Sequence, residues 1–89
     1  MNAIVTVIGK DRIGIIAAVC NRLAKLNINI LDISQTIMQG NFTMVMFVDV
    51  SAINVKFQEI KNSLSELGEE MGLSIRIQRE EIFDAMYNI

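Results

Sequence analysis

The sequence has no histidine, no proline and no tryptophan, and a single cysteine among 89 residues. Each absence excludes something. Without histidine the commonest general base near neutral pH is gone, and so is the imidazole metal ligand. Ser-His-Asp and Cys-His catalysis are therefore excluded, no catalytic residues are assigned, and no metal or cofactor site is expected. Cys20 has no partner for an intramolecular disulfide, and its place on an apolar helical stripe reads as a small buried hydrophobe. No apolar run approaches the roughly 18–20 residues of a membrane-spanning helix. The opening "MNAIVTVIGKD" shows neither a basic n-region nor a small-residue cleavage site, so the expectation is a cytoplasmic chain with no membrane contact. Neither sign of charge dominates: eight Lys and Arg against ten Asp and Glu leave −2. The basic residues are scattered, which argues against nucleic acid, because neutralising phosphates supplies most of that affinity.

What is abundant is apolar character, 52% of residues. In a chain of one-domain length that surplus implies a second buried surface, and the expectation is a homodimer.

Along the chain, "AIVTVI" (3–8) is β-branched and predicts an interior strand ended by Gly9. After "GKDRIG", residues Ile16, Val19, Cys20, Leu23 and Leu26 recur on one side of a helix, with Asp11 as N-cap and Asn27 as a left-handed terminator. Residues 27–39 read as a long strand with mixed faces, Gly40-Asn41 as a two-residue hairpin turn, and 42–50 as the return strand. Phe42, Met44, Met46 and Val48 share one face of that strand and Val45 and Phe47 the other, so a central strand covered on both sides is expected. Phe57, Ile60, Leu64, Leu67 and Met71 form a second helical stripe, stopped by Gly72. Leu73 to Arg79 alternate as a half-buried strand near a sheet edge. The tail places Ile82, Phe83, Met86 and Tyr87 on one side of a short helix.

The order β-α-β-β-α-β assigns the α+β class and a ferredoxin-like sandwich: a four-stranded antiparallel sheet with two helices on one face, plus a short C-terminal helix. Residues 1–80 form the domain. Residues 81–89 form a tail packed on the domain or on the dimer.

The turn Gly9–Gly14 has two readings. It starts a helix with a glycine and a capping aspartate and binds nothing. Alternatively, the helix N-terminus offers unpaired N–H groups to a carboxylate, Gly14 permits close approach, and Asp11 receives an ammonium group, a set that suits a free amino acid. It is no phosphate loop, since Ile15 and Ile16 stand where lysine and a hydroxyl residue are needed, and the dinucleotide spacing is missing.

"DRIGIIAAV", followed by "LNINILDISQ" at Leu26–Gln35, resembles the ACT domain over roughly the first 80 residues. Asp11, Gly14 and Ile16 match the family's D-x-P-G-x-[IL] pattern, while Ile13 replaces its proline. The chain is similar to the N-terminal ACT segments of formyltetrahydrofolate deformylase and of glycine-cleavage regulatory proteins, and more so to small stand-alone ACT proteins. The resemblance implies a regulatory module binding an amino acid or related metabolite at a homodimer interface and acting on an unidentified target protein. It implies ligand contacts from Lys10, Asp11, Arg12, Ile13, Gly14 and Ile15 on one wall. Asn27, Ile28, Asn29 and Ile30 supply the other wall, across or beside the interface.

Two other functions compete. One is a protein–protein interaction module without a ligand, for which the tail stripe is a candidate docking surface. The other is a small acylphosphatase-like enzyme, whose G-x-V-Q-G-V-x-x-R signature is absent. Asp32 and Asp49, the carboxylates on predicted strands, have no partner with which to form a catalytic pair.

Overall fold

A computed structural model describes residues 1–81. Six elements follow in order: β1 (Asn2–Lys10), α1 (Ile15–Lys25), β2 (Asn29–Met38), β3 (Asn41–Asp49), α2 (Phe57–Met71) and β4 (Leu73–Arg79). The strands make one antiparallel sheet in the order β2-β3-β1-β4. This is the expected ferredoxin-like βαββαβ sandwich. The tail residues Ile82, Phe83, Met86 and Tyr87 lie outside the described residues. No helix among those described is long and apolar enough to cross a membrane.

The core lies between the helices and one face of the sheet. Ala3, Val5 and Val7 of β1 pair in register with Val48, Met46 and Met44 of β3, and all six are buried. Leu73, Ile75 and Ile77 extend this layer into β4. Val19 and Leu23 from α1, and Ile60, Leu64 and Leu67 from α2, close over it. Arg22 ties the two helices together, donating from Nη1 to the Ser63 carbonyl (2.9 Å) and hydroxyl (3.0 Å). The α2 stripe and the Gly72 terminator (φ 70°) are as expected.

Several boundaries differ from the sequence reading. β1 runs through Gly9, where a Cβ would collide with the Leu73 side chain, so this glycine serves strand packing and does not end the strand. The hairpin turn is Gln39-Gly40, not Gly40-Asn41. Both residues have positive φ (54° and 78°), as a type I′ turn demands, and Asn41 already pairs with Met38. On α1 the buried stripe is Ile15, Val19 and Leu23, while Ile16 is 39% exposed. Asp11 is not the N-cap; Gly14 is, and no side chain among the described residues caps the helix.

The open face of the sheet has partial cover. Ile4 is buried there, but Phe47, its partner in register, is 40% exposed. The expectation that β3 is covered on both sides therefore holds fully only for the helix side.

β2 is an edge strand with an irregularity that matters for the site. Its register with β3 shifts between Ile30 and Asp32, leaving Leu31 as an extra residue. Ile30 pairs with Val48 before the shift, and Ile33, Gln35 and Ile37 pair with Met46, Met44 and Phe42 after it. All these partners are helix-side positions of β3. The bulge thus keeps three isoleucines on the helix side although Ile30 and Ile33 are three residues apart.

Candidate ligand groove at the start of helix α1

The antiparallel pairing of β1 with β3 carries the end of β1 to the β2–β3 hairpin, where Lys10 faces Asn41. The connecting loop is then pinned from two sides. The Asp11 N–H donates to the Gly40 carbonyl at 2.8 Å. Arg12 reaches the other way, and its Nη1 donates to the Met71 carbonyl at the end of α2 (3.3 Å). Ile13, the next residue of the loop, is fully exposed.

Gly14 turns this loop into the helix with φ 91° and ψ 3°. A Cβ built there meets nothing within 4 Å, so the demand for glycine is conformational and not steric. The first intrahelical bond runs from the Ala18 N–H to the Gly14 carbonyl at 2.9 Å. The N–H groups of Ile15, Ile16 and Ala17 precede it, and no side chain caps them.

Beside these groups is a groove of about 450 Å³. Asp11 and Arg12 of the loop, with Gly14 and the first helical turn to Ala17, form one wall. Gln35 and Ile37 of β2 and Phe42 of β3 form the opposite side. Ile37 is 54% exposed although it sits on the helix side of the sheet, because neither helix extends over the outer end of β2. The groove therefore combines an apolar surface with backbone donors that no side chain among the described residues caps, the amide of Gln35 and the carboxylate of Asp11. That combination suits a small ligand with a charged head and an apolar body.

Of the residues expected at the site, Asp11, Arg12, Gly14 and Ile15 line this groove, and Lys10 and Ile13 flank it. Asn27, Ile28, Asn29 and Ile30 lie at the other end of α1 in the same chain. There Asn27 adopts φ 62° and its Nδ2 donates to the Ala52 carbonyl at 2.7 Å. Ile28 is buried in the core, Ile30 packs against it, and exposed Asn29 pairs with Asp49.

Sequence reasoning missed Ile16, Ala17, Gln35, Ile37 and Phe42. A signal existed: in this topology the end of β1 must meet the start of β3 and hence the end of β2.

The strand carboxylates Asp32 and Asp49 are each spent on a nearby backbone N–H, from Ile33 and Ser51 respectively (2.9 Å each). The Ser51 hydrogen bonds, and secondarily the N-terminal ammonium at 3.9 Å, hold the Asp49 carboxyl below its ordinary range. That site is at the far end of the sheet from the groove.

Comparison with known proteins agrees with this architecture. The family model described as the ACT domain matches residues 2–78. A UPF0237 protein of Listeria innocua is 57% identical over 89 residues, covering all of both chains. The structure of an ACT domain protein from Streptococcus pneumoniae superposes with a TM-score of 0.82 at 42% identity, covering 98% of each chain. A formyltetrahydrofolate deformylase from Pseudomonas putida shares the fold, with a TM-score of 0.79 at 14% identity, over 88% of this chain and 28% of that one. The ACT domain is typically a regulatory, ligand-binding module and not a catalyst. With its motif residues Asp11, Gly14 and Ile16 gathered at the opening of α1, the chain belongs to the ACT-domain family.

Proposed function

We propose that the protein is a non-catalytic sensor that binds a free amino acid or related metabolite in the groove beside Gly14 and works as a homodimer on a target protein. The observation that carries this reading is the uncapped start of α1 opening into a groove of about 450 Å³. The ligand carboxylate takes the N–H groups of Ile15, Ile16 and Ala17, favoured by the positive end of the helix dipole. Asp11 receives the ammonium group. The apolar body lies on Ile37 and Ile16.

The dimer forms along β2. This edge strand is exposed from Leu31 to Met38, carries no basic residue, and shows Leu31, Ile33, Ile37 and Met38 at 40–66% exposure. An apolar edge of this kind needs a partner. If two β2 strands pair antiparallel about a two-fold axis, the start of one meets the end of the other. Asn29 and Ile30 then approach the groove of the opposite copy, which reunites the two walls that lie apart within one chain.

The test is a thermal-shift screen of the purified chain against the twenty amino acids and folate-pathway metabolites, repeated on Gly14→Val. The expected result is a saturable rise in Tm with one compound class, following the logarithm of concentration, that the variant lacks. Absence of any shift, in a protein shown to be folded and dimeric, overturns ligand sensing in favour of a ligand-free interaction module. Sedimentation of Ile33→Lys tests the dimer separately. Apposed lysines at a strand-strand seam weaken self-association by at least about a hundredfold, or roughly 3 kcal/mol.

A further inference from the structure

The opposite edge of the sheet is built differently. β4 is the last strand of the sheet order and, among the described strands, pairs with β1 alone. Lys61, Arg76 and Arg79 gather along it in a chain whose net charge is −2. Arg79 and Lys61 both sit over the ring of Phe57, at 5.0 and 5.7 Å from its centroid, which holds two long flexible cations in place. None of the three meets a carboxylate among the described residues. Two open grooves, of about 230 and 390 Å³, run beside the strand and share Lys61 and Gln78.

We propose that the β4 edge, flanked by Lys61, Arg76 and Arg79, is the docking site for an acidic, extended segment of the target protein, added to the sheet as a further strand. The backbone of an edge strand supplies main-chain hydrogen bonds to an extended chain. The flanking charges choose which one. A second copy of β4 pairing antiparallel brings arginines of like charge close together, so self-addition is disfavoured at this edge. An acidic strand meets cations on both sides: Arg76 on the open face, and Lys61 and Arg79 on the helix side. Two shallow grooves in tandem suit an extended occupant better than a compact anion. The site lies across the sheet from the amino-acid groove and stands or falls independently of it.

The test uses the full chain, labelled with ¹⁵N, and two fluorescein-labelled eight-residue peptides, one alternating Glu and Val, the other Lys and Val. The acidic peptide is expected to bind saturably by fluorescence anisotropy, to weaken as salt rises, and to shift the amide resonances of Leu73–Arg79. The double variant Lys61→Gln/Arg76→Gln, at two exposed positions, is expected to weaken it by about tenfold while circular dichroism stays unchanged. Equal binding of the two peptides, or of neither, overturns the proposal. So do amide shifts confined to β2, or an unaffected double variant. Displacement of the peptide by inorganic phosphate at matched ionic strength, without backbone shifts along β4, assigns the cations to a small-anion site and also overturns it.

Discussion

The two ends of α1 are finished in opposite ways. At its C-terminal end the Leu26, Asn27 and Ile28 N–H groups return to the carbonyls of Arg22, Leu23 and Ala24 at 3.0–3.2 Å. Asn27 supplies the left-handed residue of this Schellman-type closure, Ile28 and Leu23 join the core, and the Asn27 amide is tied to Ala52. At its N-terminal end a left-handed Gly14 starts the helix with no side-chain cap, over a groove and next to the wholly exposed Ile13. One terminus spends its polar groups on the fold; the other has no side-chain cap among the described residues. Both ends carry the residue types that mark helix boundaries, and only the surroundings separate structural closure from a binding site.

The sharpest way to break this contrast is to fill the open end. Gly14→Val puts a β-branched residue at φ 91°, where nothing clashes but the backbone is strained. The expected loss is about 1–2 kcal/mol, with 1 kcal/mol lowering Tm by roughly 4–8 °C in a domain of this size. The variant also loses the ligand response. Gly14→Ala, read in the same thermal scan, should fall between it and the parent. If Gly14→Val leaves Tm unchanged, the positive φ is not a constraint and the open end is built differently.

The closed end predicts a smaller loss and no change in ligand response. Asn27→Ala removes a hydrogen bond to Ala52 and places alanine in the left-handed region, for about 1–1.5 kcal/mol together. Asn27→Gly keeps the conformation and recovers part of that loss. Chemical denaturation of the three proteins measures both terms. An Asn27→Ala variant that folds normally yet loses ligand binding would make this end part of the site, as the two-fold pairing of β2 would allow for its neighbour Asn29.

Much of this was legible in the residues, and the rest failed for identifiable reasons. Periodicity located both helices and all four strands, because the core is a simple two-layer interface and period-2 and period-3.6 patterns survive in it. The hairpin turn slipped by one residue because Gln39, not a turn-forming type, takes one of the two positive-φ positions. The mixed appearance of β2 is the trace of the bulge at Leu31, which no pattern with a fixed period of two can represent. The loop wall of the groove was visible as the motif Asp11–Gly14. Its β2 wall was not, because Gln35 and Ile37 are ordinary strand residues that become site residues only through the register with Met44 and Phe42.

Arg12 gives a weaker test of how the open end is held. Its single bond to the Met71 carbonyl, 3.3 Å and solvent-exposed, links the loop to α2. Arg12→Ala is expected to lower stability by no more than about 0.5 kcal/mol, the low end for one hydrogen bond. Its effect on ligand affinity should be the larger one, because the loop loses a tether. Equal and small effects on both would make Arg12 a solvated side chain and leave the Asp11–Gly40 bond as the tether that positions the loop.

The smallest effect belongs to the far end of the sheet, where Asp49 and Ser51 precede the Ala52 carbonyl that receives Asn27. Hydrogen bonds from Ser51 lower the Asp49 pKa in the folded chain, with the N-terminal ammonium adding to them. A lowered folded pKa means that the ionised carboxylate favours the folded state. That contribution is fully present above the unfolded carboxylate pKa of about 3.9 and is lost as pH falls through the folded value. Asp49 is half-buried at the surface, its side chain 39% exposed, so the effect is small and screened by salt. Asp49→Asn should therefore be slightly less stable than the parent near pH 6, with the gap closing as the pH approaches about 3 in low salt. A gap that persists unchanged at low pH would mean that the amide disturbs the Asp49–Ser51 turn itself, so that shape and not charge holds the closed end. Ligand response, which belongs to the other end of α1, should not move at either pH because of this substitution.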